Sequence, residues 1–107
     1  MFASSVGYAG SGVVVGKVNV VLVDGKNYGG CMAQISQDIS DKLPACQADW
    51  VTFDCLGVFP ETTKSIAQNQ LSTAQLAFVT RKDVYIKATD SRRVNGYCLV
   101  ERIDLIN

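Results

Sequence analysis

The stretch TTKSIAQNQLSTAQLAFVT, residues 62–80, decides the fold, because the hydrophobic period changes here from that of a strand to that of a helix. Its apolar residues recur at spacings of three to five, which predicts an amphipathic helix of about four turns. These residues are Ile66, Ala67, Leu71, Ala74 and Phe78. Thr62, Thr63 and Ser65 are candidate N-caps. Ser65 with Gln68 also fits a capping box.

The chain before this helix is predicted to form three β-strands. The first starts at Val13 and ends at a hairpin turn formed by Asp24-Gly25. Alternation along this strand places Val18, Val20 and Leu22 on one face, opposite the residues between them.

The remaining four strands are shorter and less regular. The second and third are predicted over residues 27–35 and 49–58, with a polar loop between them. Gly29-Gly30 in the second strand indicates a bulge or a close approach of the backbone. After the helix, two further strands are predicted over residues 84–88 and 97–105.

The resulting order, β-β-β-α-β-β, is the element order of an OB-fold, a small Greek-key barrel closed at one end by a helix. The single apolar stripe of the helix suits such a plug. We therefore predict a mostly β, OB-like small barrel, with a split α+β sandwich of the same order as the alternative. A chain of 107 residues has room for one domain, which we place at residues 13–107 after a flexible lead-in at residues 1–12.

Charge and composition exclude several classes of function. Ten basic and ten acidic residues cancel, so the strong positive field of a general nucleic-acid binder is missing. The chain has no histidine, which removes most zinc, haem and Ser-His or Cys-His chemistry. No pair of carboxylates stands in a recognisable catalytic frame. We therefore expect that the protein is not an enzyme and has no metal site and no cofactor. No apolar run approaches the ~18 residues of a membrane span.

Four cysteines, Cys31, Cys46, Cys55 and Cys98, bear on the compartment. Their spacing fits no zinc template. An even count in a small domain favours two disulfides in a secreted or periplasmic protein, with four reduced cysteines in a cytoplasmic protein as the alternative. Residues 1–5 lack the basic start and apolar core of a signal peptide, so we expect that signal to have been removed.

Four cysteines allow three pairings. If the second and third strands are antiparallel neighbours with Ile35 opposite Val51, then Cys31 lies opposite Cys55. Opposite residues have the Cβ separation that a disulfide needs, so we predict this bond and pair the remaining two cysteines with each other.

The second predicted disulfide, Cys46–Cys98, joins the loop before the third strand to the start of the fifth. A bond between Cys46 and Cys55 ranks second, because it would bend a segment that is predicted to be a strand.

The C-terminal half carries a recognisable pattern. Residues 46–55 read Cys-x3-Trp-x2-Phe-x-Cys, residues 95–98 read Asn-Gly-Tyr-Cys, and an Ala/Leu-rich helix enters a Val-rich strand between them. Together these motifs resemble small exported bacterial proteins of mostly unknown function. The element order over residues 17–105 is similar to that of the B subunits of subtilase-cytotoxin-type AB5 toxins. That resemblance implies ring assembly and glycan binding.

Trp50 is the leading candidate for a ligand contact. It lies on the strand face opposite Val51 and Phe53, and large aromatic residues on a polar face are typical of interfaces and sugar sites. Alternatively, Trp50 covers the end of the barrel beneath the preceding loop. The other candidates are Tyr28, Tyr97, Arg92, Arg93 and Asn95, with Tyr8 a further aromatic residue.

We predict a non-enzymatic, exported binding module, with a glycan as the leading class of ligand and self-association into a homo-oligomer. A structural or oligomerisation protein, whose barrel edges pair between copies without a small ligand, is the alternative. A third hypothesis is a single-strand nucleic-acid binder that uses Arg92-Arg93, with Tyr85 and Tyr97 as stacking partners. For the two arginines, the competing interpretation is a solvated turn over residues 89–96.

Overall fold

The computed structural model describes residues 10–107, so Tyr8 and most of the predicted lead-in lie outside the described range. Within it, Ser11 and Gly12 already pair with the fourth strand. The described part of the domain therefore includes residues 11 and 12, which were predicted to belong to the lead-in.

Over residues 10–107, five strands and one α-helix follow one another in the order β-β-β-α-β-β. They are β1 Ser11–Val23, β2 Cys31–Ile35, β3 Trp50–Thr52, α1 Lys64–Thr80, β4 Asp83–Val94 and β5 Tyr97–Ile106. Short 3-10 helices at Tyr28–Gly30 and Ile39–Asp41 lie in the loops on either side of β2. The strands close into a barrel in the order β1-β2-β3-β5-β4. Among the described strands, only β3 and β5 pair in parallel, and the predicted OB-like barrel is confirmed.

The helix α1 packs on the barrel through small side chains. Ala67, Ala74 and Ala77 are fully or almost fully buried, and Leu71 is partly buried against the same core. The predicted apolar stripe is wrong at both ends, since Ile66 is 51% and Phe78 42% exposed. The buried positions lie three, four and seven residues apart. Ile66 flanks this stripe, whereas Phe78 follows Ala74 by four residues and continues the stripe into the last turn of the helix, where its side chain stays partly exposed.

Thr63 is the N-cap of α1. Its hydroxyl oxygen accepts a hydrogen bond of 3.1 Å from the backbone N–H of Ile66. The predicted capping box is therefore wrong, because Ser65 already lies inside the helix. The helix ends at Thr80, and its C-cap, Arg81, adopts the left-handed conformation with φ of 60°.

An irregularity in β1 changes which side chains face the core. The pairing of β1 with β2 shifts between Val18 and Val20. Val18 is buried at 1% exposure, whereas Val20 is 39% exposed and Val21 packs against the core instead. The predicted common face is therefore wrong beyond Val18, because an extra residue in one strand reverses the faces that follow it.

The strand β4 is longer than predicted. It continues to Val94, and only Asn95 and Gly96 remain to form the turn to β5. Both have positive φ, 54° and 85°, as a two-residue type I′ hairpin turn requires. The polar stretch 89–96 is thus mostly strand, because ladder pairing with β5 resumes at Arg93 after an irregularity.

The strand β3, in contrast, ends at Thr52 rather than at residue 58. The chain turns at Asp54, whose φ is 61°. The buried carboxylate of Asp54 accepts hydrogen bonds from the backbone N–H groups of Val58 (2.8 Å) and Phe59 (2.9 Å). The Asp54 side chain therefore supplies hydrogen-bond acceptors for two backbone N–H groups that a continued strand would pair within the sheet.

Two disulfides staple the barrel, Cys31–Cys55 and Cys46–Cys98, with Cα–Cα distances of 5.6 and 5.4 Å. Both pairs are those that the sequence favours. The first joins β2 to the turn after β3, and the second joins the loop before β3 to the start of β5.

The register behind the first pairing differs from the predicted one. Val51 lies opposite Ala33, not Ile35. Cys55 reaches its partner because the turn at Asp54 changes the direction of the chain, so the bond forms outside the regular ladder.

Candidate functional site

Three of the predicted ligand residues, Tyr28, Trp50 and Tyr97, come together on the outer wall of the barrel. With Leu22 and Met32 they line a cavity of about 180 Å³, which we call the aromatic pocket. The rings of Tyr28 and Tyr97 meet edge to face, with centroids 5.9 Å apart and planes at 72°. The pocket therefore has aromatic side chains from the β1–β2 loop, from β3 and from β5.

Strand alternation explains why the pocket faces outwards. Val51 on β3 and Cys98 on β5 are neighbours in the ladder and are buried in the core. Trp50 and Tyr97 directly precede them, so their side chains point to the opposite face. Met32 of β2 also lies on that outer face; it is only 2% exposed and lines the same cavity as the three aromatic side chains.

The wall formed by Tyr28 is held by its backbone. Tyr28 has φ of 60° and Gly29 has φ of 74°, and the carbonyl of Tyr28 accepts a hydrogen bond of 2.8 Å from the buried Thr52 hydroxyl. A Cβ at Gly29 would lie 2.6 Å from the same Thr52 oxygen, which is the close approach that the paired glycines predict. The Cys31–Cys55 disulfide then fixes the chain shortly after this loop.

The wall formed by Tyr97 follows directly from the β4–β5 turn. The carbonyl of Gly96 accepts a hydrogen bond of 3.1 Å from the backbone N–H of Gln47. A Cβ at Gly96 would come within 2.8 Å of the Gln47 side chain, so the turn lies against the loop before β3. The Cys46–Cys98 disulfide joins the same two segments.

A polar pair flanks the pocket beside Trp50. Gln34 is the ladder partner of Trp50. Its side-chain amide donates a hydrogen bond of 3.1 Å to Oδ2 of Asp49. An amide and a carboxylate therefore neighbour Trp50, although neither residue lines the pocket.

The other predicted site residues do not line the pocket. Nε of Arg92 lies 3.2 Å from Oε1 of Glu61 in an ion pair, and Arg93 donates a hydrogen bond of 3.2 Å to the carbonyl of Ala45. Hydrogen bonds from its own backbone N–H and from Arg92 hold the pKa of Glu61 below its usual value. Asn95 is exposed in the turn before Tyr97.

The nucleic-acid hypothesis needs two aromatic residues that the structure keeps apart. Tyr85 pairs with Asp104 towards one end of the β4–β5 hairpin, and Tyr97 lies at the other end beside the turn. The guanidinium of Arg102 lies over the Tyr85 ring, 5.5 Å from its centroid. Tyr85 and Tyr97 therefore do not form a common stacking surface.

Sequence reasoning missed Leu22 and Met32, which complete the pocket, and Gln34 and Asp49 beside it. Leu22 and Met32 look like ordinary core residues of amphipathic strands. Met32 could have been identified from its position two residues before Gln34, because this spacing places both side chains on the same face of the second strand, next to the strand of Trp50.

A second cavity of about 270 Å³ lies between α1 and β5. Within residues 10–107, the buried side-chain oxygen of Gln70 in its lining has no hydrogen-bond partner. This cavity is lined by no aromatic residue, and no predicted ligand residue reaches it.

No protein family, curated protein or solved structure matches this chain. The resemblance to exported bacterial proteins and to AB5 toxin B subunits therefore stays a prediction. Among residues 10–107, no helix is long and apolar enough to cross a membrane. The two disulfides are compatible with a location outside the cytoplasm.

Proposed function

We propose that the protein is a non-enzymatic, exported binding module that holds a glycan in the aromatic pocket. The observation that carries this proposal is the convergence of Tyr28, Trp50 and Tyr97 around one cavity. The pocket lies on the β2–β3 face between the β1–β2 and β4–β5 loops, the face with which OB-folds bind oligosaccharides and oligonucleotides.

The chemistry of the lining suits a sugar. The C–H face of a sugar ring packs on an aromatic ring, and its hydroxyls bond to groups such as the phenol hydroxyls and the indole N–H. Met32 and Leu22 add apolar area. The residues also bear no resemblance to a set of catalytic groups, so binding without turnover is the simpler function.

The disulfides prepare the pocket for binding. Cys31 follows Tyr28 closely in sequence, and Cys98 follows Tyr97 directly. Because both walls are fixed before the ligand arrives, less conformational entropy is lost on binding. The predicted resemblance of residues 46–55 and 95–98 to exported proteins also supports this function.

A glycan array tests the proposal with the wild type and two variants. We expect the wild type to bind a defined subset of glycans and Trp50→Ala to lose at least about ten-fold in affinity, or about 1.4 kcal/mol. Tyr85→Ala removes a half-buried aromatic residue outside the pocket and is the matched control, which should retain binding. An array without any specific signal, or a Trp50→Ala variant that binds as the wild type does, would contradict the proposal.

A second candidate function is self-assembly, which the surface of α1 favours. Large apolar side chains on this helix are exposed, and Val79 is 76% exposed. The others are Ile66, Leu76 and Phe78. We propose that the exported module forms a homo-oligomer. Assembly and glycan binding are compatible, because the pocket and the exposed apolar side chains of α1 belong to different elements.

A further inference from the structure

The lining of the aromatic pocket contains no charged side chain. Its residues are Leu22, Tyr28, Met32, Trp50 and Tyr97. The hydrogen-bonding groups among these side chains are two phenol hydroxyls and one indole N–H. Such groups suit the hydroxyls of a neutral sugar, because each sugar hydroxyl both donates and accepts.

A carboxylate directly precedes Trp50 in the chain. It belongs to Asp49, whose Oδ2 accepts a hydrogen bond of 3.1 Å from Gln34. A carboxylate beside Trp50 repels a second anion. The faces of aromatic rings carry a negative quadrupole and also disfavour an anion.

The two arginines near the β4–β5 turn do not offset this repulsion of an anionic ligand. Arg92 pairs with Glu61, and Arg93 donates a hydrogen bond to the carbonyl of Ala45. Neither arginine lines the pocket. An anionic ligand would therefore lose hydration without gaining a cationic partner, because the lining offers only two phenol hydroxyls and one indole N–H as donors.

The size of the pocket limits how much of a glycan it holds. Its volume of about 180 Å³ is below the ~300 Å³ at which pockets for drug-sized ligands begin. Met32, one of its lining residues, is almost fully buried. A pocket of this size fits one terminal ring better than an internal segment of a glycan.

On the basis of the proposed function, we infer that the pocket selects a neutral, terminal sugar ring and discriminates against sugars that carry a carboxylate. The disfavoured class comprises the uronic and sialic acids. The selection follows from an uncharged aromatic lining with a carboxylate beside Trp50.

Paired sugars that differ only at C6 test this inference. The probes are the methyl glycosides of glucose, galactose and mannose, each compared with its uronic acid. Trp50 is the only tryptophan in the chain, so changes in tryptophan fluorescence report binding at the pocket. For the sugar that binds best, we expect the neutral member of the pair to bind about ten-fold more tightly than the acid.

A charge-neutralising variant gives the second arm of the test. Asp49→Asn removes the negative charge and keeps an oxygen that accepts the hydrogen bond from Gln34. We expect several-fold tighter binding of the uronic acid and little change for the neutral sugar. Asp104→Asn is the matched control, because Asp104 does not line the pocket. Its Oδ2 lies 2.9 Å from a guanidinium nitrogen of Arg102. This variant should change the affinity for neither sugar.

The outcomes separate this inference from the proposed function. Equal or tighter binding of a uronic acid, or of N-acetylneuraminic acid, overturns the inference and leaves glycan binding in place. A Trp50 response to choline but to no sugar overturns both, because an aromatic cage also suits a quaternary ammonium group. No response to any sugar, combined with a glycan array without signal, contradicts the proposed function itself.

Discussion

At the scale of single residues, the aromatic pocket depends on a backbone conformation that few side chains adopt. Tyr28 has φ of 60°, in the left-handed region. The hydrogen bond from Thr52 to its carbonyl holds it there. Proteins keep such strained residues where the surrounding structure fixes them, often at functional sites. The strained residue here is also an aromatic wall of the candidate site.

Gly29→Ala tests how closely this loop must approach β3. The new Cβ would lie 2.6 Å from the Thr52 hydroxyl oxygen, at a φ of 74° that disfavours alanine. We expect a loss of about 2 kcal/mol in the free energy of unfolding and weaker glycan binding. Gly25→Ala is the control, because its Cβ meets no atom within 4 Å. Urea denaturation measures the free energy of unfolding of both variants. Equal stability of the two would contradict a close approach of the backbone at Gly29.

Asp54 is the second residue on which the local structure depends. Asp54→Ala leaves the backbone N–H groups of Val58 and Phe59 without their acceptor. We expect the free energy of unfolding to fall by about 2–3 kcal/mol, with a smaller loss for Asp54→Asn, which keeps one acceptor oxygen and tolerates a positive φ. Asp38→Ala, at an exposed position, should change it little. Denaturant unfolding with no difference between Asp54→Ala and Asp38→Ala would refute this role.

At the scale of elements, each disulfide lies next to one wall of the pocket. Cys31–Cys55 closes a loop with a sequence separation of 24, and Cys46–Cys98 one of 52. In the chain-entropy treatment, these bonds stabilise the fold by about 3.5 and about 4 kcal/mol.

We predict that replacing either pair by alanine lowers both the free energy of unfolding and the affinity for the glycan. The measurements are thermal unfolding and fluorescence titration of Trp50, at a temperature where the variant is still folded. Undiminished affinity in a folded variant would show that the walls keep their positions without the bonds.

The elements also show what the sequence can and cannot predict. The helix and the element order were predictable because hydrophobic period is a local property. The end of β4 was missed even though Asn95-Gly96 is a strong hairpin signal, because the polar residues before it look like a loop. The irregularity in β1 depends on pairing with β2, and nothing within β1 reveals it.

The same limits apply to the candidate site. Trp50 was predictable as an outward residue because Val51 beside it is apolar. Met32 was not, since the other residues that line the cavity with it come from several separate parts of the sequence. Arg92 looked like a ligand residue, but its partner Glu61 lies far away in sequence.

At the scale of the whole molecule, the exposed apolar side chains of α1 predict self-association. We expect light scattering at high micromolar concentration to show a dimer or a small ring. Val79→Glu should shift it to the monomer, because a charge would be buried in the interface. Val23→Glu, at a position 69% exposed outside α1, is the control and should stay associated. A monomeric wild type would contradict the assembly proposal.

Binding of a glycan in the aromatic pocket can be tested most directly by an NMR titration of the ¹⁵N-labelled protein with the best glycan of the array. The chain has one tryptophan, so its single indole N–H signal is unambiguous. We predict that this signal and the backbone amides of Tyr28 and Tyr97 shift as the glycan is added, while the amide of Tyr85 stays unchanged. Shifts confined to α1 or to the end of the hairpin near Tyr85, with the Trp50 indole unchanged, would contradict binding in this pocket.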